Sequence, residues 1–255
     1  LKRDWVKKWT SVRQGRCLLR KIKPVKRWLS ILPCERLISP LLSQGMSESP
    51  LLSLLLFAGA LYLLKLWLDD YRAWQSGNPS VKALPGATAF SSTALVIAAI
   101  GAIFLVAVET AGEYALGVSE EQSQIAVLFL LPMLGAGVLE EILFRGYLVV
   151  TARGRTILAL SCVLFSALFA LLHYQYYLEI PEEGSIFNAS LDLNAKSLWS
   201  LLLLFLNSLW FYAVRFATWN PSRSLLPCFV AHISSNLAVF LVKAAQGHVT
   251  GWITP

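Results

Sequence analysis

The stretch Gly137-Val138-Leu139-Glu140-Glu141-Ile142-Leu143-Phe144-Arg145-Gly146 sets two carboxylates and an arginine inside an otherwise apolar run. Desolvating a charge at the centre of a bilayer costs roughly 3 kcal/mol or more, so ionisable residues in lipid-embedded segments are rare and mark functional sites. The surroundings make this run a membrane span. Apolar runs lie at roughly 51–68, 92–109, 124–150, 156–173, 197–218 and 223–243. Each reaches the roughly 20 residues that a helix needs to cross the hydrocarbon. Apolar residues are continuous rather than alternating, which disfavours strands. The predicted fold is all-α: a polytopic transmembrane helical bundle of about six spans.

Composition agrees. The 255 residues are 56% hydrophobic and 15% charged, and the mean hydropathy is +0.59. These values lie outside the soluble globular range. The net charge of +7 is unevenly spread: residues 1–45 carry 12 Lys/Arg against Asp4 and Glu35, and the remainder is mildly acidic. One basic segment beside hydrophobic spans is no basis for nucleic-acid binding. Cys17, Cys34, Cys162 and Cys228 form no CxxC pair, so neither a thiolate zinc site nor a disulfide framework is supported.

Two regions follow: an N-terminal stretch, 1–45, and a transmembrane domain, 46–255. The first reads either as an interfacial segment on an anionic membrane surface, with Trp5, Trp9 and Trp28 among its cations, or as an extension ahead of a start at Met46. Two signals for orientation oppose each other. Residues 1–45 argue for a cytoplasmic N-terminus, whereas Arg153, Arg155 and the acidic 174–196 loop argue the reverse.

Helix geometry divides the opening stretch. Adjacent Glu140 and Glu141 project about 100° apart and so do not share one task. Glu141 and Arg145, spaced i,i+4, lie on one face and can pair. Glu140 is left free to face a cavity. A carboxylate without a counter-charge in apolar surroundings is suited to general-base work. The bland alternative is that all three charges are structural glue.

Of three histidines, His173 and His232 fall in apolar runs, and His248 lies in the tail. Phe169 precedes His173 by one helical turn and can wall the imidazole. Asn236 follows His232 by one turn, so the two project into one space. A free carboxylate, two imidazoles and an amide suit water activation and oxyanion stabilisation. They also match the donor types of a Zn²⁺ site. No nucleophile elbow and no Gly-rich phosphate loop is present.

Glu140-Glu141-x-x-x-Arg145, Phe169-x-x-x-His173 and His232-x-x-x-Asn236, in this order inside apolar spans, resemble the motifs of the type II CAAX prenyl endopeptidases. Their wider group is the CAAX protease and bacteriocin-processing (abortive-infection) intramembrane proteases. The resemblance covers roughly 125–240. It implies an intramembrane endopeptidase with a catalytic cavity within the membrane. Glu140 would activate water with help from His173, and His232 and Asn236 would stabilise the oxyanion. Glu141, Arg145 and Phe169 would support the geometry. It allows Zn²⁺ on Glu140, His173 and His232, and equally a metal-free glutamate mechanism. The implied partners are membrane lipids and a membrane-associated peptide or protein substrate. The implied setting is the plasma membrane of a prokaryote. Alternatives are a non-catalytic immunity or scaffold protein of the same fold, and a small-solute transporter. The fifth run departs from the family by its Trp199, Trp210, Phe211 and Tyr212, which read as packing or as substrate lining, and it still offers Asn207 and Ser208.

Overall fold

Pro50, whose ring presets a helical φ and lacks the N–H that a first turn cannot use, opens helix α1 (Pro50–Gln75). It is the first residue seen in the computed structural model, which describes residues 50–179 and 189–253. The expectations for residues 1–45, including Cys17 and Cys34, lie outside the described residues. Five further helices follow: α2 (Ser92–Leu116), α3 (Leu130–Glu141), α4 (Arg155–Leu172), α5 (Ala195–Phe216) and α6 (Leu226–Ala245). Ser91 and Asn194 cap α2 and α5, each accepting from a backbone N–H of the first turn.

These helices, with α3 extended by its flanking turns to Val127–Leu148, are all long and apolar enough to cross a membrane. The expected bundle of six spans is therefore what the chain forms. Its exterior is oily, as at Leu55, Ile100, Phe104, Leu164 and Leu202, whereas Glu141, Arg145, Ser208 and His232 are buried. That inversion of the soluble pattern suits a lipid solvent.

Two spans run past their apolar edges. α1 continues to Gln75, where Asp69 accepts from Lys65 and Arg72. At 26 residues it is about 39 Å long, more than the roughly 30 Å of hydrocarbon, so its last turns stand in the headgroup region. α2 continues through Glu109 and Glu113, and Glu113 accepts from Gln122 and Lys196. Two short strands are a departure from the all-helical expectation. β1 (Leu178–Glu179) pairs antiparallel with β2 (Ser190–Leu191) in the loop between α4 and α5.

α6 packs chiefly on α2 and α3, α3 on α1, and α5 on α4 and α2. The α2–α5 seam shows how. Trp210 and Trp199 lay their indoles where Gly101 and Gly112 have no side chain, and a β-carbon at either glycine would collide with the ring. Each indole N–H then donates to a backbone carbonyl of α2, Ala98 at 3.2 Å and Glu109 at 3.0 Å. Both tryptophans are therefore packing residues.

Candidate active site

α3 carries the charged motif, and Gly137 decides what can face it. A β-carbon there would stand 2.7 Å from Ile233 Cγ1 and 3.2 Å from its backbone nitrogen. Without one, α6 comes close enough for His232, next to Ile233, to reach both glutamates. His232 Nδ1 lies 2.8 Å from Glu141 Oε1. Nδ1 therefore carries the hydrogen and donates to the carboxylate, which leaves Nε2 turned towards Glu140 Oε2, 3.8 Å away.

Glu141 Oε1 also accepts from Arg145 Nη1 at 3.0 Å, with both side chains wholly buried. Arg145 Nη2 donates to the carbonyl and the hydroxyl of Ser208 on α5, at 2.9 and 2.5 Å. Its guanidinium sits among rings, with Cζ 4.6 Å from the centroid of Tyr212, 5.0 Å from Phe169 and 5.1 Å from Phe211. Such contacts contribute up to about 2 kcal/mol when desolvated. The structure thus spaces the neighbouring carboxylates apart in role. Glu141 is wholly buried, with both a cation and an imidazole on its Oε1, whereas Glu140 keeps 31% of its side chain exposed and has only the His232 ring at 3.8 Å; the Oε2 atoms of both lack a hydrogen-bond partner among the described residues.

The sequence pattern does not reveal that α3 widens into a π-helical turn, Ile142–Leu148, immediately after Glu141. Such turns interrupt the regular hydrogen-bond ladder and are frequent at functional sites. Tyr212 of α5 holds this one by donating from its hydroxyl to the Phe144 carbonyl at 3.0 Å.

His173 is the C-cap of α4 rather than a residue within it. Its backbone N–H bonds the Ala170 carbonyl at 3.1 Å. Its Nδ1 donates to the Phe169 carbonyl at 2.8 Å, occupying an acceptor that a helix end leaves open. The Nε2 lone pair points away from that bond. Phe169 links the two imidazoles, its centroid 4.7 Å from the ring of His173 and 6.0 Å from that of His232. Phe211 stacks on His232 with ring centroids 4.8 Å apart. Asn236 donates one amide hydrogen to the Met133 carbonyl at 2.7 Å, and its second N–H is not used by that bond.

The donors do not fit a three-ligand zinc site. Glu140 and His232 face each other, but among the described residues no three His, Cys, Asp or Glu side chains gather as a metal site would require. The structure brings Glu140, Glu141, Arg145, His232 and Phe169 together, ties His173 to them through Phe169, and seats Asn236 on α3. Ser208, Phe211, Tyr212 and Phe144 join the cluster without a motif of their own. For Ser208, a buried arginine needing acceptors on a neighbouring span is the signal that would have found it.

Residues 122–238 match the family model described as Type II CAAX prenyl endopeptidase Rce1-like. No curated protein matches the chain, and neither does any solved structure. The matched segment runs from the loop before α3 to α6, and it holds every residue of the cluster just described. With six apolar helices of spanning length, the protein is an integral, multi-pass membrane protein. Through this segment the chain is similar to the type II CAAX prenyl endopeptidases.

Proposed function

We propose that the protein is an endopeptidase that hydrolyses a peptide bond of a membrane-associated protein or peptide, of the CAAX or bacteriocin-processing type, in the plasma membrane of a prokaryote. The observation that carries this reading is the asymmetry of the two adjacent carboxylates. Glu141 is wholly buried and committed to Arg145 and His232, whereas Glu140 is partly exposed, has no cation beside it among the described residues and turns its Oε2 to the other nitrogen of that same histidine.

A 3.8 Å gap between Glu140 and His232 is beyond direct hydrogen-bond reach and within reach of one water touching both groups. Glu140 takes a proton from that water as it attacks the scissile carbonyl. His173, whose Nε2 is an acceptor once Nδ1 bonds Phe169, helps to orient it. The oxyanion is met by the second N–H of Asn236 and by His232 Nε2–H where His232 has taken a proton from solvent before the step, a proton it keeps throughout. The Glu141 carboxylate at Nδ1 faces the resulting charge. Glu140 then returns the proton to the leaving amine. Glu141 and Arg145 hold the histidine and do not touch the reacting atoms.

The test is cleavage of candidate membrane peptides by the reconstituted protein and by Glu140→Ala, each with and without chelator. Expected is cleavage by the wild type, unaffected by chelator, and none by the variant although it inserts normally. Cleavage that survives in Glu140→Ala would sink the reading, and loss on chelation would overturn its metal-free form.

A further inference from the structure

A groove of about 280 Å³ lies between α4 and α5 and shares only Tyr212 with the candidate active site. It exists because Ala159, Cys162 and Ala213 are small where the two helices face the bilayer, and Ala159 and Ala213 are exposed there. Tyr212 and Phe216 also line it, and Arg155 is its one charged lining residue.

Cations converge on the Phe216 end. Arg223 Cζ stands 5.6 Å from the Phe216 centroid, and Arg215 Cζ stands 6.0 Å from it. Arg215 is only 8% exposed, yet its Nε and Nη1 have no hydrogen-bond partner among the described residues. None of Arg155, Arg215 and Arg223 has an acidic partner at ion-pair distance among those residues. Arg153 and Lys82 lie in the loops at this same end of the bundle. At the opposite end Glu120, Glu121, Glu179 and Asp192 lie in the loops. An apolar trough whose mouth is cationic, at the basic end of a membrane protein, matches one kind of molecule. A hydrocarbon chain alone has no use for the arginines, and a soluble anion has no use for the trough.

We propose that this groove is a binding site for an anionic phospholipid. One acyl chain lies along Ala159, Cys162 and Ala213, and the phosphate meets Arg155 and Arg223. The site is not isolated from the chemistry. Its floor, Tyr212, packs its ring 4.6 Å from Arg145 Cζ and holds the Phe144 carbonyl of the π turn. A seated lipid therefore braces the residue that walls the Glu141–Arg145 pair.

Binding does not depend on the protease reading, so the experiment reads lipid rather than cleavage. The full chain is reconstituted in vesicles of equal parts phosphatidylcholine and phosphatidylglycerol, extracted in mild detergent, and its retained lipid measured by native mass spectrometry. Expected is selective retention of phosphatidylglycerol. The pair Arg155→Glu, Arg223→Glu lowers that retention by about tenfold or more, as loss of charge-assisted phosphate contacts should. Ala213→Trp, which fills the trough and leaves the charges, lowers it equally. Should that variant fail to fold, Ala159→Leu on the facing wall replaces it. Equal retention of the two lipids, or retention unchanged in both the charge and the trough variants, overturns the proposal. So does displacement of the lipid by inorganic phosphate alone, which would make the arginines a soluble-anion site.

Discussion

The α2–α5 seam and the α3–α6 seam start from the same device and end in different states. In both, a missing side chain lets a neighbour approach: Gly101 and Gly112 admit Trp210 and Trp199, and Gly137 admits Ile233 and with it His232. Along α2–α5 each indole N–H then finds a carbonyl. Around α3–α6, Glu140 Oε2, Glu141 Oε2 and Arg145 Nε are left without partners among the described residues. A seam that only holds helices together satisfies its polar atoms, because leaving them unpaired in a low dielectric costs about 1–3 kcal/mol each. For Glu140 Oε2, the one of these three that faces the proposed water site, that cost is worth bearing because a reactant will complete it.

The comparison can be broken by substitution. The largest stability effect is expected from Arg145→Ala. It strands a wholly buried Glu141 and should lower stability by about 3–5 kcal/mol, read by denaturant unfolding in detergent micelles. Next come matched alanines in the two seams. Gly101→Ala and Gly137→Ala each force a β-carbon into a packed neighbour, at about 1–3 kcal/mol. Only Gly137→Ala should also depress cleavage per folded molecule. It moves α6 and with it His232, and a displacement near 1 Å can cost about a hundredfold in rate. Equal cleavage losses in both would erase the distinction between the seams. The smallest effect, about 1 kcal/mol, is expected from Trp210→Phe, which loses the bond to Ala98 and keeps most of the ring. Combined with Gly101→Ala it should cost less than the sum, because the smaller ring makes room for the new methyl.

How much of this was written in the sequence differs between the two seams. The six spans were legible because continuous apolar runs of spanning length have few other uses. The grouping of Glu141 with Arg145 followed from helix periodicity alone. The α2–α5 seam left a trace that motif reading passes over: Gly101 and Gly112 are spaced by the same number of residues as Trp199 and Trp210, so antiparallel helices match ring to notch. The π turn left none, since it is fixed by tertiary contacts such as Tyr212 on the Phe144 carbonyl. The fourth apolar run, 156–173, already ended at His173, but the bond its ring makes there was hidden. Only the structure shows that its ring, rather than its backbone N–H, satisfies the Phe169 carbonyl. Partners that act through a hydroxyl or backbone atom, such as Ser208, have no spacing rule tying them to another span.

The central claim is that two carboxylates adjacent in sequence have separate tasks, Glu140 in the reaction and Glu141 in holding His232 and Arg145. The most direct measurement compares Glu140→Gln with Glu141→Gln in one membrane preparation, recording cleavage rate and unfolding midpoint for each. Glu140→Gln should lose about 10²–10⁴-fold in rate, the usual contribution of a general base, with its unfolding midpoint unchanged. Glu141→Gln should lower the midpoint by leaving Arg145 buried and unpaired. A Glu140→Gln protein that still cleaves at the wild-type rate, or a Glu141→Gln protein as stable as the wild type, would contradict that division.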